Sequence, residues 1–171
     1  MVRSQQYSVL GLQILAEFVK SNYEFIGSIM NDLFSLLLPF IKATNNENVC
    51  IAATEIWENL AAEYGNQNDK NIENHISGET GTNIVKALLE NLCVMDDGDE
   101  ETNEINESTS KALETIFDNG SVEYKDLVLE FVGNTITQDN WRFKQASVKA
   151  FSLLLFGLPK AECRTLVENS I

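Results

Sequence analysis

The sequence is poor in the residues that most catalytic and metal sites are built from. Histidine occurs once, as His75, and the three cysteines, Cys50, Cys93 and Cys163, stand far apart. A metal centre needs several converging ligands at motif spacing, and this set offers none. Ser/His and Cys/His catalysis lack a base as well, because His75 falls in a polar stretch that reads as a loop. Gly78-Glu79-Thr80-Gly81-Thr82-Asn83 lacks the Lys-Ser/Thr of a phosphate loop. No enzyme and no cofactor are expected. The scattered cysteines read as reduced thiols of a cytosolic or nuclear protein. The longest apolar run, Phe34 to Ile41, is far short of the roughly 20 residues that cross a bilayer. The N-terminus also lacks the layout of a signal peptide.

Basic residues are scarce too. Twelve Lys and Arg stand against 26 Asp and Glu, a net charge of −14 over 171 residues. A nucleic-acid binder needs a basic face to displace counterions from phosphates, so that class is excluded. Docking on an anionic membrane is disfavoured for the same reason. A basic protein partner is favoured. The imbalance is local: between Glu55 and Glu107 stand fourteen acids and two bases, Lys70 and Lys86.

What is plentiful is apolar residues at helical spacing, with no run of strand-like alternation. The spacing predicts helices over Ser4–Ser21, Tyr23–Ala43, Val49–Tyr64, Thr80–Met95, Thr109–Asp118, Val122–Thr137, Trp141–Phe156 and from Lys160 onward. Asn66–Gly78 and the acidic Asp96–Ser108 read as loops. Counting from Asp97 puts Thr102 sixth and Ser108 twelfth, so the acidic stretch fails as a calcium loop. Two helix types alternate, one rich in Leu and Phe, the other carrying small residues such as Ala52-Ala53 or Ala146 and Ala150. Setting Val9 over Val49 gives a period of about 40 residues, the signature of HEAT or armadillo arrays. The expected fold is all-α: a right-handed HEAT-repeat solenoid of about eight helices in antiparallel pairs. The approximate units are an inner helix at 4–21, repeats at 23–64, 80–118 (with the acidic loop 96–108) and 122–156, and a new repeat begun at 160–171. Solenoid ends normally carry polar caps. These do not, so 1–171 is expected to be one segment of a longer, monomeric solenoid, with a complete small bundle as the alternative.

Two segments carry a family resemblance. Asp139-Asn140-Trp141-Arg142-Phe143-Lys144-Gln145-Ala146-Ser147-Val148-Lys149-Ala150-Phe151 resembles the DWRYRxAAVMAFG helix of the importin-β (karyopherin-β) family. Asn48-Val49-Cys50-Ile51-Ala52-Ala53-Thr54-Glu55-Ile56-Trp57-Glu58-Asn59 is similar to an earlier helix, EVALQGIEFWSN, with Glu55, Trp57 and Asn59 matching in place. The order of a long insertion, an apolar helix and an acidic loop between them also matches. The resemblance implies a nuclear transport receptor of the cytoplasm, nucleus and nuclear pore. Its partners would be the GTPase Ran, an importin-α-type adaptor or basic cargo, and Phe-Gly nucleoporins. One departure stands out: the family has a Trp just after its acidic run, where this chain has Asn103-Glu104-Ile105-Asn106.

Candidate site residues follow. Glu55, Glu58, Asn59 and Glu63 recur at spacings of three to four, on one helix face away from Ile56 and Leu60. Asp96, Asp97, Asp99, Glu100 and Glu101 form a like-charged cluster that attracts Lys/Arg-rich surfaces at long range. The resemblance implies that both contact Ran or the basic segment of the adaptor. Trp141, at a helix start, either packs or covers a ligand's aliphatic stem, whereas Arg142 and Lys144 read as solvated or paired with a neighbouring repeat. Phe25, Ile29 and Phe34 have the spacing of core residues, and the resemblance implies a nucleoporin groove on that outer helix. A HEAT-repeat scaffold of another kind, such as another karyopherin or a phosphatase scaffold, is the alternative without Ran binding.

Overall fold

The computed structural model describes residues 2–42, 45–67, 73–94 and 104–168. These residues form helices α1 (Val2–Ser21), α2 (Tyr23–Ile26), α3 (Met30–Ile41), α4 (Glu47–Asn66), α5 (Gly78–Asn91), α6 (Glu104–Ile136), α7 (Trp141–Gly157) and α8 (Lys160–Glu168), with no strand among them. Helix α6 is two helices joined at Gly120, whose backbone is extended.

The helices stack in two layers. Helix α4 packs between α1 and α6. Its contact with the first half of α6 is fixed by Asn119, which donates to the Ala61 carbonyl at 3.2 Å. Helix α7 continues this layer, its Gly157 lying against the Phe117 backbone. The other layer holds α3, α5, the second half of α6 and α8. Asn91 of α5 donates to the Ile41 carbonyl at the end of α3, and Lys125 bonds Glu162 of α8. The layers are tied together by a 2.6 Å hydroxyl contact between Thr135 and Ser147. This alternation is what the two helix types in the sequence anticipate, and it is the architecture of a HEAT-repeat solenoid.

Helix α4 shows why small residues recur in one layer. Val49, Ala52, Ala53, Ile56, Trp57, Leu60 and Ala61 are all buried, so three of its sides face protein. The alanines let neighbouring backbones approach. Trp57 fills the space left, with its ring 6.3 Å from that of Phe34.

Four expectations need correction. Tyr23–Ala43 is not one helix, because a 3-10 turn, Gly27–Ile29, divides it. By length and composition Tyr23–Ile41 is apolar enough to cross a membrane, which the Phe34–Ile41 run alone does not suggest. In the fold its Tyr23, Ile26, Met30, Leu33, Leu37 and Ile41 face the protein core. The acidic loop drawn over 96–108 ends early, since α6 begins at Glu104. Acids in a first helical turn are favoured by the helix dipole. Ile105 and Thr109 are buried, and Asn106 donates to the Leu92 carbonyl at 3.0 Å. His75, read as part of an unordered loop, is held in place. Its ring stacks on Tyr23 at 4.6 Å and its Nε2 lies 3.1 Å from the Tyr23 carbonyl. The Tyr23 hydroxyl donates to the Glu73 carbonyl and accepts from the His75 N–H. On the far side Tyr124 donates to the Ile76 carbonyl at 2.7 Å, and burial pushes its own pKa well up. The stretch 73–77 is thus a wedge held from both ends.

Two glycines make a paired test of this packing. A Cβ at Gly157 would lie 2.7 Å from the Phe117 carbonyl oxygen, whereas Gly133, helical and exposed, has nothing within 4 Å. Gly157→Ala should cost about 1–3 kcal/mol in urea unfolding, by forcing α7 off α6. Gly133→Ala should gain about 0.5–1 kcal/mol, by removing backbone freedom from the unfolded chain.

Candidate functional site

Because α4 is covered on three sides, only one line of it meets solvent. At 3.6 residues per turn that line runs through Asn48, Ile51, Glu55, Glu58, Asn59, Ala62 and Asn66. Glu55 is exposed, and Glu58 and Asn59 are partly so. Glu63 sits roughly 80° around the helix from Glu55, at the edge of this line, and is partly exposed like Glu58 and Asn59. The helix therefore places Glu55, Glu58 and Asn59 along one line, with Glu63 one turn beyond Asn59 at its edge.

The first half of α6, packed beside α4, carries a second such line. Glu104, Glu107, Lys111, Glu114 and Asp118 are all exposed and spaced by three or four. One basic group interrupts the acids and is already engaged: Lys111 Nζ lies 2.9 Å from Glu58 Oε1. That hydrogen bond, then the charge attraction of Glu58 and more weakly of Glu55, raises the Lys111 pKa above its ordinary value. The result is an acidic band across two adjacent helices, with Glu55, Glu104, Glu107, Glu114 and Asp118 exposed to an incoming partner. Glu114 and Asp118 were missed in the sequence. Their signal was there, as the continuation of the 104–107–111 spacing, but it is hidden when Glu104 and Glu107 are assigned to a loop. Asp96, Asp97, Asp99, Glu100 and Glu101 lie outside the described residues.

The remaining candidates are separate from this band. Trp57 is fully buried and belongs to the core, whereas Trp141 is 52% exposed at the start of α7. There Asn140 caps the helix by accepting from the Arg142 N–H. On the other layer Phe25 is 74% exposed and Ile29 is also exposed. Phe34 is partly buried against the core beside Trp57. An apolar cleft of about 220 Å³ does lie on that layer, between α5 and the second half of α6. Leu89, Leu127 and Phe131 line it, with Lys86, Glu90 and Glu130. No group of three or more His, Cys, Asp or Glu with metal-binding geometry occurs among the described residues. The Cys50 thiol donates to the Ile41 carbonyl at 3.0 Å and burial pushes its pKa up to about 11, which marks a structural group and not a nucleophile.

No protein-family model matches the chain. Among curated proteins it is 26% identical over 167 residues to importin subunit beta-1 of Saccharomyces cerevisiae, covering 92% of this chain and 19% of the relative. Solved structures share the fold. Yeast importin-β (Kap95p) superposes with a TM-score of 0.80 at 22% identity. Kap95p bound to RanGDP gives 0.79 at 23%, and the Kap95–Nup1 complex gives 0.79 at 22%. Each match covers 95% of this chain and 20% of the other. The chain thus spans about a fifth of the length of these relatives.

The Lys111–Glu58 pair is exposed on the lysine side, so solvent screens it. Lys111→Met should change unfolding stability by less than about 1 kcal/mol, measured by urea denaturation. A loss above about 2 kcal/mol would mean that the pair holds α4 and α6 together.

Proposed function

We propose that the chain is a HEAT-repeat segment of the importin-β family, part of a nuclear transport receptor whose acidic α4–α6 face binds basic protein partners. The observation that carries this is the band of exposed carboxylates, Glu55, Glu104, Glu107, Glu114 and Asp118, on two packed helices. Carboxylates held on rigid elements lose little entropy on binding, and their summed field draws in Lys/Arg-rich surfaces. The Kap95p–RanGDP neighbour supports Ran as one such partner. A basic adaptor segment of the importin-α type, or basic cargo, suits the same chemistry. Release then follows by linkage, when two basic ligands compete for one surface. The acids at 96–101 extend the band in sequence. The units 23–64, 80–118 and 122–156 are assigned as successive repeats of one longer, monomeric solenoid that shuttles between cytoplasm and nucleus.

The cleft between α5 and α6 favours a second partner on the opposite layer. Its apolar floor suits a single aromatic side chain, and the Kap95–Nup1 complex supports a Phe-Gly nucleoporin as the occupant. Leu89, Leu127 and Phe131 take the place that the sequence assigned to Phe25, Ile29 and Phe34.

Pull-down with Ran loaded with GTP or GDP, at low and moderate salt, tests the Ran assignment. Binding should prefer the GTP form, weaken with salt, and fall about tenfold in Glu55→Gln/Glu114→Gln, as expected for losing two charge contacts. Equal or absent binding of the two forms would favour a HEAT scaffold without Ran recognition.

A further inference from the structure

On α7 the sign of the charge reverses. From Asn140 to Ala161 the sequence holds Arg142, Lys144, Lys149 and Lys160 and no acid, within a chain of net charge −14. Trp141 and Val148, 52% and 63% exposed, stand two turns apart and form one ridge along the helix. Lys144 flanks that ridge on one side and Lys149 on the other. With Gln145, Val148 and Ser152 they line a shallow recess. Lys42, Lys111, Lys125 and Arg164 each bond a carboxylate. Lys144 and Lys149 have no such partner among the described residues, although acids abound on the neighbouring α6.

The chemistry of this face restricts what covers it. A contrast is the open line of α1, where Tyr7, Leu10, Ile14 and Phe18 are exposed with Glu17 beside them and no basic residue between Gln6 and Val19. An apolar helix covers such a line without stripping water from an ammonium group. The same helix laid on α7 would strip water from two unpaired ammonium groups, which is unfavourable unless carboxylates arrive with it. We propose that the Trp141–Lys144–Val148–Lys149 face of α7 docks an acidic polypeptide segment that carries an apolar side chain. Its carboxylates pair with the two lysines and set register and encounter rate. Its apolar side chain covers the Trp141–Val148 ridge, where contact area supplies affinity. This goes beyond the basic-partner proposal: the exposed lines of α6 and α7 carry opposite charge on adjacent helices, whose axes stand about 8–10 Å apart.

Fluorescence anisotropy on the full chain tests this. One labelled peptide is rich in Asp and Glu with Leu and Phe interspersed, and a labelled Lys/Arg-rich peptide is run in parallel. Lys144→Glu/Lys149→Glu should weaken the acidic peptide by about tenfold or more while leaving the basic peptide unchanged or tighter. Val148→Ser should weaken the acidic peptide severalfold without changing its salt dependence. An acidic peptide that ignores the wild-type chain, or binds wild type and both variants equally, overturns the assignment. So does loss of both peptides together, or sedimentation showing that the double variant only abolishes self-association. Failure of the basic peptide alone sinks the α4–α6 proposal and leaves this one standing.

Discussion

Everything on the functional surface depends on how completely α4 is packed. Its alanines, Ala52, Ala53 and Ala61, bring α1 and α6 close, and Trp57 with Ile56 and Leu60 fills the remaining volume. Three faces of the helix are consumed by packing. The fourth is left for Glu55, Glu58 and Asn59, whose backbone cannot drift while its other faces are held. A solenoid repeats this arrangement from one helix to the next. The acids on α6 stand beside those on α4 because the same small-residue contacts set the spacing between the two helices.

Charge then acts on a frame that is already rigid. Individually, exposed carboxylates contribute little to stability, and like charges gathered on one face cost some. Their concentration on the open lines of α4 and α6 is therefore unfavourable to the isolated fold. It is relieved in part by Lys111, and a basic partner would relieve it further. The inversion on α7 belongs to the same picture: neighbouring helices of one layer present opposite signs on faces that packing does not use.

Much of this was readable in the sequence, and the failures have physical causes. Long amphipathic stretches such as Trp141–Gly157 are set by local periodicity, which sequence reports directly. The start of α6 was not, because Glu104 to Ser108 look like solvated loop. What makes them helical is the dipole at the helix start and the burial of Ile105 and Thr109 against elements distant in sequence. The break at Gly27 was hidden for a similar reason. A Cβ there would stand 2.6 Å from the His75 ring, a contact made by a residue 48 positions downstream. The site suffered from the first of these errors: once Glu104 and Glu107 were drawn as loop, Glu114 and Asp118 no longer continued their line. The lysines of α7 were visible, but their lack of carboxylate partners is a property of three-dimensional packing alone.

Hydrogen–deuterium exchange of the full chain, with and without a saturating Lys/Arg-rich peptide, tests the central claim most directly. The account predicts added protection along α4 and the first half of α6, reversed by salt, with α3 and α5 unchanged. Protection confined to α3 and α5, or none anywhere while the peptide is bound, would contradict it.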